Sequence, residues 1–466
     1  MSSVYAHFIG VGGAGMSGIA RVLHERGIAV TGSDLKASRY ARSLEEAGVT
    51  VHIGHAAGNL GDPEVVVVSS AIPESNPELA EARRRGIDVW PRAKMLAHVG
   101  ADRTTLAVAG THGKTTTSSM LATVIAGLGL DPTFLIGGEL NDMGANARCG
   151  AGEYYVVEAD ESDGSFLFLD PHLAIVTNVE ADHLDHYSGI DEVVATFGEF
   201  LEKVTVDGIA VVWADDEHLP ELAAQHCRGR VVTYGMAEDA TVRCESLVRE
   251  GLGYRFDVRL PDGTAINART GVPGEHNVIN ATGVLAAAWA LGLDVLAAAE
   301  ALAGFTGVRR RFDRVGEVGG VLVVDDYAHH PTEVRATLAA ATGGDFGRVW
   351  VVFQPHRYSR TAALGDDFGA SFGNADRVVL MDVYSAGEAP IPGVSGKTVL
   401  DALLDADCRA QAAYFPHRAD ICDYLAPRVR RGDLVLTMGA GDVTSMAGEL
   451  VRALEAREDA AEPACR

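Results

Sequence analysis

Residues 105–117, Thr-Leu-Ala-Val-Ala-Gly-Thr-His-Gly-Lys-Thr-Thr-Thr, decide the fold of the region around them. The apolar run 106–109 predicts a buried strand, residues 110–113 a tight loop, and the chain from Thr115 onward a helix. This layout suits a phosphate, because the loop N–H groups and the positive end of the helix dipole face one point. Lys114 adds a full charge there, and the hydroxyl of Thr115 suits a phosphate-bound Mg²⁺ ion.

The loop is shorter than the common phosphate-loop pattern. The pattern G-x-x-x-x-G-K-[ST] needs glycine at position 108, where this chain has Val108. Taken alone, the stretch therefore leaves two interpretations open, an ATP-binding loop or an ordinary strand-turn-helix connection.

Length and composition limit the classes of protein to consider. A chain of 466 residues is long enough for roughly three domains of about 150 residues each. The formal net charge of −25 argues against nucleic acid or an anionic membrane surface as a general partner. No run of about 18 apolar residues occurs and a strand begins almost at once, so we expect neither a membrane span nor a signal peptide, and a cytoplasmic location.

The cysteines show no paired spacing, which favours reduced thiols over disulfides or a zinc site. They are Cys149, Cys227, Cys244, Cys408, Cys422 and Cys465.

A second glycine motif, G-V-G-G-A-G at residues 10–15, follows the first predicted strand and opens a helix. A second strand then ends near Asp34, at about the distance expected for an acidic ribose contact, so the motif by itself predicts a dinucleotide such as NAD. The same glycines would let a backbone approach any nucleotide diphosphate, including a nucleotide sugar. A tight turn without a ligand is the third interpretation.

The alternation of strands and helices predicts parallel sheets with right-handed crossovers. We expect an α/β protein of three domains, each with a mostly parallel sheet. These are a Rossmann-like N-terminal domain (1–99), a central P-loop-type ATPase domain (100–307) and a Rossmann-like C-terminal domain (308–466).

Carboxylates cluster after two predicted strands of the central domain. Residues 158–163 read Glu-Ala-Asp-Glu-Ser-Asp, and residues 178–186 read Asn-Val-Glu-Ala-Asp-His-Leu-Asp-His. Strand C-termini in open α/β sheets are where ligands bind. Mg²⁺ prefers oxygen ligands with an occasional imidazole, so Thr115, Glu158 and His183 form a plausible ligand set.

Further polar groups follow predicted elements later in the chain. Asn277 and Asn280 lie on one face of a predicted helix, where they could be caps or could hydrogen-bond an adenine edge. An arginine triplet, residues 309–311, begins the third domain and could reach a bound triphosphate. Four strands of that domain end in polar clusters, among which Arg357 and Arg360 suit a carboxylate or phosphate.

Eight motifs, in order along the whole chain, resemble the Mur ligase family. They are GVGGAGMSG (10–18), GTHGKTT (110–116), EADESD (158–163), NVEADHLD (178–185), GEHNVIN (274–280), DDYAHHPTE (325–333), FQPHRYSR (353–360) and GAGD (439–442).

The resemblance implies an ATP-dependent, amide-forming ligase of peptidoglycan precursor synthesis. It would join L-alanine to the lactyl carboxylate of UDP-N-acetylmuramate through an acyl phosphate, releasing ADP and phosphate, with ATP and Mg²⁺ as cofactors. The family's phosphate motif is G-T-x-G-K-[ST], so Val108 is expected. No nucleic-acid or membrane partner is implied, and we expect a monomer or weak homodimer.

The resemblance also assigns residues. The UDP-sugar would contact Gly10, Gly12, Gly13, Ala14, Gly15, Met16, Ser17, Asp34 and Ser69. ATP would contact Gly110, Thr111, His112, Gly113, Lys114, Thr115, Thr116, His276, Asn277, Asn280, Arg310, Arg311 and Asp326. The amino acid would contact Tyr327, His329, His330, Arg357 and Arg360. Thr115, Glu158 and His183 would hold metal, and Lys114, Glu158, His183 and His330 would be catalytic, with the histidine that takes the amine proton left open.

Three alternatives stay open. A sister ligase that joins an intact peptide to the same sugar would share most of the motifs. A nicotinamide-dependent oxidoreductase would use the first glycine motif but leave Lys114, Glu158 and His183 without a role. A nucleotide-sensing protein would bind ATP without releasing phosphate.

Overall fold

The computed structural model describes residues 5–69, 71–182, 186–406 and 409–461. Within them the chain forms three sheets in succession, of five, ten and six strands. Helices connect most of the parallel strands, which confirms the predicted fold class.

The N-terminal sheet has the strand order β3-β2-β1-β4-β5, and all its strand pairs are parallel. Its strands are β1 (Ala6–Ile9), β2 (Val30–Asp34), β3 (Thr50–Ile53), β4 (Val65–Val68) and β5 (Asp88–Pro91). Its helices are α1 (Ala14–Glu25), α2 (Arg39–Glu46), α3 (Pro77–Arg85) and α4 (Arg92–Val99).

The central sheet has the order β15-β14-β13-β12-β11-β10-β6-β9-β7-β8. Its strands are β6 (Thr104–Ala109), β7 (Thr133–Leu140), β8 (Ala145–Arg148), β9 (Tyr154–Glu158), β10 (Leu173–Val176), β11 (Ile209–Trp213), β12 (Arg230–Gly235), β13 (Val242–Glu250), β14 (Gly253–Arg259) and β15 (Ala265–Thr270). Its helices are α5 (Lys114–Gly127), α6 (Ile190–Glu202), α7 (Leu219–His226), α8 (Glu275–Ala290) and α9 (Val295–Ala303).

The C-terminal sheet has the order β16-β17-β21-β18-β19-β20, and only the edge pair β16–β17 is antiparallel. Its strands are β16 (Asp313–Val318), β17 (Val321–Asp326), β18 (Arg348–Phe353), β19 (Arg377–Leu380), β20 (Gln411–Tyr414) and β21 (Asp433–Met438). Its helices are α10 (Pro331–Ala341), α11 (Tyr358–Ser371), α12 (Gly396–Asp405), α13 (Ala419–Leu425) and α14 (Thr444–Ala461).

The strand that precedes the phosphate loop lies in the middle of the central sheet. Strand β6 pairs in parallel with β10 on one side and β9 on the other. Its residues Ala107 and Val108 point to opposite faces and are both fully buried, as expected for a strand covered on both faces. The pairing brings the C-terminal ends of β6, β9 and β10, and the motifs that follow them, to one edge of the sheet. The predicted strand-loop-helix is confirmed, although α5 begins at Lys114.

The N-terminal and central regions share one hydrophobic core. Leu135 and Tyr155 of the central sheet belong to the same buried cluster as Met95 and Val99 of α4. The hydroxyl of Tyr155 also donates a hydrogen bond to Leu96 O at 3.0 Å. The first glycine motif is therefore held firmly against the central sheet.

Helix α7 and the cysteines complete the description of the fold. Helix α7 lies between β11 and β12. Cys149, Cys227, Cys244 and Cys422 are free thiols, whereas Cys408 and Cys465 lie outside the described residues. In the part of the chain that the structure describes, no helix is both long and apolar enough to cross a membrane.

Candidate active site

The phosphate loop depends on two glycines with positive φ angles. Gly110 has φ 131° and Gly113 has φ 83°. A Cβ atom on Gly110 would lie 2.0 Å from Thr177 Oγ1, and one on Gly113 would lie 3.1 Å from Asn280 Oδ1. Glycine is needed here both for the turn and for the close approach of neighbouring side chains.

The ammonium group of Lys114 folds over this loop. Its Nζ donates hydrogen bonds to Gly110 O at 2.7 Å and Thr111 O at 3.2 Å, and it pairs with the Glu161 carboxylate at 2.8 Å. Burial opposes the charge, yet Glu161 and neighbouring carboxylates raise the pKa of Lys114. Burial also raises the pKa of Glu161 to about 7. The ammonium is thus charged and positioned at the mouth of the loop.

Thr115 and Glu158 meet beside the same loop. Thr115 Oγ1 donates a hydrogen bond to Glu158 Oε1 at 3.0 Å, and Gly137 N–H donates to Glu158 Oε2 at 2.7 Å. Burial raises the pKa of Glu158. The hydroxyl and carboxylate oxygens are donors that suit Mg²⁺. The third predicted ligand, His183, lies outside the described residues.

A cavity of about 220 Å³ lies between the phosphate loop and the C-terminal region. Of the residues predicted to contact ATP, it is lined by His112, Gly113, Thr116, His276, Asn277, Asn280, Arg311 and Asp326. An apolar wall formed by Val272, Pro273, Ile279, Phe312, Ala336 and Ala340 completes it. Apolar walls with a few polar groups are typical of ligand pockets.

The two asparagines border this cavity and do not cap their helix. The N-cap of α8 is Gly274, with no side-chain cap hydrogen bond. Asn277 Nδ2 donates to Pro273 O at 2.6 Å, and Asn280 Nδ2 donates to Asn277 Oδ1 at 3.3 Å. Burial lowers the pKa of His276 to about 4, so its imidazole is neutral. These neutral polar groups suit the adenine base of a nucleotide better than a charged phosphate.

The two candidate arginines of the triplet point to different partners. Arg311 lines the cavity and lies 3.4 Å from the Glu333 carboxylate. Arg310 instead donates to Gly439 O at 2.8 Å and pairs with Asp325 at 3.4 Å. Arg310 is thus tied into the C-terminal sheet, and Arg311 is the arginine offered to a ligand in the cavity.

Asp326 is fixed by its own backbone surroundings. Its carboxylate accepts hydrogen bonds from Phe312 N–H at 2.8 Å and Ala328 N–H at 2.7 Å. Burial raises its pKa to about 6. The side chain therefore lines the cavity in a fixed orientation.

The first glycine motif forms the turn between β1 and α1, but Asp34 is already engaged. The Asp34 carboxylate accepts hydrogen bonds from Gly12 N–H at 2.9 Å and Lys36 N–H at 3.1 Å. A Cβ on Gly12 would lie 2.8 Å from Ser38 Oγ and 2.9 Å from Asp34 Oδ2. In this structure Asp34 holds the glycine loop closed.

The other residues predicted for the UDP-sugar divide into three groups. Met16 is buried, whereas Ser17, whose hydroxyl donates to Ala14 O at 3.0 Å, lines a cleft together with Arg21 and Arg39. Gly10, Gly13 and Ser69 stay at the loop, where Ser69 Oγ would lie 3.6 Å from a Cβ on Gly10. Ala14 and Gly15 line a cleft that also contains Arg92, Gly137, Glu158 and Asp160.

This shared cleft brings the first glycine motif next to the candidate metal ligand. Arg92 begins α4, and its Nη1 would lie 3.3 Å from a Cβ on Gly15. Sequence reasoning missed Arg92 because a single arginine outside any motif gives no signal.

The residues predicted for the amino acid gather after β17 and β18. The rings of Tyr327 and His329 lie 5.1 Å apart, and those of His329 and His356 lie 5.8 Å apart. His329 Nδ1 lies 2.9 Å from Tyr327 O, a contact that places the ring proton on Nδ1 and leaves Nε2 as an acceptor. Burial lowers the pKa of His329 to about 3, so the ring is neutral.

The predicted arginines of this group both have carboxylate partners. Arg360 pairs with Asp182 of the central region at 3.0 Å, and both side chains are buried. Arg357, with φ 68°, lies 3.8 Å from the Glu388 carboxylate. A substrate carboxylate must share or replace these contacts.

His112, Glu180 and His330 form a compact group across the interface between the central and C-terminal regions. One nitrogen of each ring and one carboxylate oxygen of Glu180 lie within 4.8 Å of one another. Thr332 N–H donates to His330 Nδ1 at 3.3 Å, so the neutral ring keeps its proton on Nε2 and offers no lone pair there. We therefore interpret the group as an ion pair between His112 and Glu180 with a neutral His330 beside it, and not as a metal site.

Several residues of the site were missed by the sequence analysis. Glu180 and Glu333 were quoted within motifs but given no role, although both contact His112 at 3.6 Å. Trp213 and Phe312 line the cavity but read as ordinary core residues in the sequence. The position of the two glutamates within motifs is a signal that could have found them. The two aromatic residues lie outside the motifs and gave no such signal.

The fold and site define a nucleotide-dependent α/β enzyme whose phosphate loop lies beside a second glycine loop. Three family models match successive parts of the chain: the Mur ligase family catalytic domain over residues 5–104, the Mur ligase middle domain over 108–288 and the Mur ligase glutamate ligase domain over 310–441. The chain belongs to the Mur ligase family, a family of ATP-dependent amide-forming ligases, as its motifs predicted.

Individual relatives match the chain over nearly its whole length. A UDP-N-acetylmuramate–L-alanine ligase from Pelotomaculum thermopropionicum is 49% identical over 97% of this chain and 98% of its own. A UDP-N-acetylmuramate–alanine ligase structure from Thermotoga maritima has a TM-score of 0.82 at 28% identity, covering 97% of this chain and all of its own. A murein peptide ligase structure from Psychrobacter arcticus has a TM-score of 0.73 at 26% identity, covering 97% of this chain and 98% of its own.

Proposed function

We propose that this enzyme joins L-alanine to the lactyl carboxylate of UDP-N-acetylmuramate, using ATP and releasing ADP and phosphate. One observation carries the proposal: Glu158, held by Thr115 of the phosphate loop, lines the same cleft as Ala14 and Gly15 of the first glycine motif. A nucleotide sugar on the first motif and ATP on the second would meet at Glu158. Similarity to the Pelotomaculum ligase supports alanine as the amino acid.

The reaction has two chemical steps. A lactyl carboxylate oxygen attacks the γ-phosphorus of ATP, and the bond from that phosphorus to the bridging β-phosphate oxygen breaks. ADP departs, and the sugar now carries an acyl phosphate. The amine nitrogen of L-alanine then attacks the acyl carbon, phosphate leaves with the C–O bonding electrons, and the nitrogen loses a proton to form the amide. Negative charge collects on phosphate oxygens in both steps, so fixed positive charge is the main catalytic requirement.

Lys114 and Arg311 are the cations placed to meet that charge. Lys114 Nζ is held at the mouth of the loop by Gly110 O, and Arg311 lines the cavity next to that loop. Because neither group reorganises far to reach the phosphates, each would stabilise the transition state more than water does. The polar groups Asn277, Asn280 and His276 would receive the adenine.

Thr115 and Glu158 fit a Mg²⁺ ion, because a hydroxyl oxygen and a buried carboxylate oxygen lie 3.0 Å apart there. These two residues, with His183, would hold the ion, which would supply charge neutralisation at the phosphates.

The amino acid would bind beside Tyr327 and His329, with its carboxylate on Arg357 and Arg360. An attacking amine must be neutral and must lose a proton after attack. In this structure His329 offers a free Nε2 acceptor, while His330 carries its proton on Nε2 and accepts at Nδ1 from Thr332. We therefore favour His329 over His330 as the histidine that receives the amine N–H.

The domain limits 1–99, 100–307 and 308–466 belong to the same proposal. They are supported by the three sheets, whose strands span residues 6–91, 104–270 and 313–438. A cytoplasmic location is also proposed, because ATP and a nucleotide sugar are substrates of that compartment. A monomer or weak homodimer stays a prediction.

A single assay tests the proposed reaction against its alternatives. The protein is incubated with ATP, Mg²⁺ and UDP-N-acetylmuramate, and single amino acids or the stem tripeptide are added while phosphate release and product mass are followed. We expect turnover with L-alanine. Turnover with the tripeptide alone would favour a murein peptide ligase, and ATP binding without phosphate release would favour a nucleotide sensor.

A further inference from the structure

Glu333 lies at the point where the phosphate loop, the arginine triplet and the amino-acid cluster meet. We propose that Glu333 is a positioning residue that couples the phosphate loop, through His112, to the orientation of His329 in the amino-acid site. The inference rests on the proposed function and adds a residue to which the reaction scheme gives no role.

The first part of the coupling is the contact with the phosphate loop. Glu333 Oε1 lies 3.6 Å from His112 Nδ1, and the other ring nitrogen of His112 lies 3.6 Å from Glu180 Oε2. Glu180 in turn accepts a hydrogen bond from Thr332 Oγ1 at 2.9 Å. The imidazole of the loop is therefore bracketed by two carboxylates, one from each side of the interface.

The second part is the contact with the amino-acid cluster. Glu333 Oε2 accepts hydrogen bonds from the backbone N–H of His329 at 3.0 Å and of His330 at 3.3 Å. The same oxygen lies 3.2 Å from His329 Nδ1, which also faces Tyr327 O. These acceptors keep the His329 proton on Nδ1 and its Nε2 free.

The third part is the charge of Glu333 itself. Its side chain is only 12% exposed and lies 3.4 Å from Arg311 in the ATP cavity. Burial would raise its pKa, but the contacts with the cationic His112 and Arg311 lower it well below the usual value. Glu333 is therefore ionised at neutral pH, and the loss of this charge would remove one of the two carboxylate partners of His112 and the carboxylate partner of Arg311.

The partners of Glu333 come from different regions of the chain. Glu333 and His329 both belong to the C-terminal region, whereas His112 comes from the central region, so only the His112 contact depends on docking of the two regions. Docking therefore brings the phosphate loop to a carboxylate that already holds His329. Misplacement of a substrate-orienting group by about 1 Å can cost about 100-fold in rate.

The Glu333→Gln variant removes the negative charge of the side chain but keeps an oxygen that can cap α10. The amide oxygen of glutamine can still accept from the N–H groups of His329 and His330, so α10 keeps its first turn. We expect kcat to fall roughly 10- to 100-fold and KM for L-alanine to rise, with KM for UDP-N-acetylmuramate unchanged. The control Glu317→Gln removes an exposed carboxylate of the same region and should leave all constants unchanged.

A double-mutant cycle tests the coupling directly. If the two residues act as one unit, His112→Gln combined with Glu333→Gln should lose little more activity than Glu333→Gln alone. The proposal would be overturned if the activity losses of the two single variants multiplied in the double variant. It would also be overturned if Glu333→Gln had wild-type kinetics. Wild-type kcat in Glu333→Gln, with a lower melting temperature and kcat only in Glu333→Ala, would instead indicate a purely structural cap and would also overturn it.

A second readout does not depend on the reaction. Imidazole titration by NMR should show the pKa of His112 falling in Glu333→Gln, because one of its two carboxylate partners is lost. An unchanged His112 titration would refute the contact. Absence of wild-type turnover with L-alanine would refute the proposed function while leaving this measurement intact.

Discussion

Lys114 Nζ and the Glu161 carboxylate form a buried ion pair of 2.8 Å at the mouth of the phosphate loop. The ammonium is thus positioned before any nucleotide binds, and its charge is shared with two loop carbonyl oxygens. An incoming phosphate has to compete with Glu161 for the ammonium. The pair explains how a full positive charge is kept in a buried loop without a ligand.

Lys114→Ala should abolish turnover while leaving the first glycine motif intact. Removing a preorganised charge of this kind costs about 100- to 1000-fold in kcat or more. Phosphate release measures turnover, and calorimetric titration with UDP-N-acetylmuramate measures binding to the N-terminal region. Loss of both activities would point to a folding defect, which circular dichroism would reveal.

Glu158→Gln should lower kcat at least about 100-fold and weaken the dependence of the rate on Mg²⁺ concentration. The glutamine oxygen can accept from Gly137 N–H while its amide nitrogen donates to Thr115 Oγ1, so the geometry is kept while the anionic ligand is lost. The measurement is the initial rate across a Mg²⁺ titration. A variant with the wild-type Mg²⁺ profile would remove Glu158 from the proposed metal site.

Arg311→Gln should harm ATP use more than Arg310→Gln does. Arg311 lines the cavity, whereas Arg310 is tied to Gly439 O and Asp325. We expect KM for ATP to rise and kcat to fall by about tenfold or more in Arg311→Gln, and mainly a lower melting temperature in Arg310→Gln. The reverse order would assign the ligand-facing role to Arg310.

Much of this site was predictable because its chemistry is carried by short motifs. The strand-loop-helix of residues 105–117 and the cluster that starts at Glu158 follow buried strands whose ends meet at one sheet edge. Periodicity and motif spacing are local properties, so a single sequence reveals them. The choice between Arg310 and Arg311 is not local, because it depends on which partner each side chain meets.

Other features depend on contacts between distant parts of the chain. Asp34 was expected to contact a ribose, which stays a prediction; in the structure it also accepts a hydrogen bond from Gly12 N–H at 2.9 Å. His112 was expected to contact ATP, but its ring also reaches Glu333, more than 200 positions later in the sequence. Sequence spacing carries no information about such pairs until the sheets are packed together.

Glu78 should control the acid stability of the N-terminal region. It is fully buried and accepts hydrogen bonds from Asn59 Nδ2 at 2.7 Å, Ala56 N–H at 3.0 Å and the hydroxyl of Ser33. Burial would raise its pKa, but these bonds and His7 lower it to about 2.

Since the folded pKa of Glu78 lies below the unfolded value, its stabilisation is present above about pH 4.5 and is lost as the pH falls toward 2. Glu78→Ala should cost about 3–5 kcal/mol at pH 7, because it leaves buried donors unpaired. Urea unfolding at pH 7 and pH 3 measures this, and a cost that does not shrink at pH 3 would contradict the assignment.

The contact between the central and C-terminal regions should weaken at alkaline pH, because His112 is its titrating member. Burial opposes its charge, yet Glu180 and Glu333 raise the pKa of His112 to about 9, while the neighbouring His330 stays neutral because burial lowers its pKa. A raised folded pKa means that the stabilisation is complete below about pH 6.5 and is lost as the pH rises through 9. Melting temperature, followed from pH 6 to 10, should therefore fall more steeply for the wild type than for His112→Gln, which has no proton to lose. Parallel curves for the two proteins would show that His112 does not carry a charge between Glu180 and Glu333.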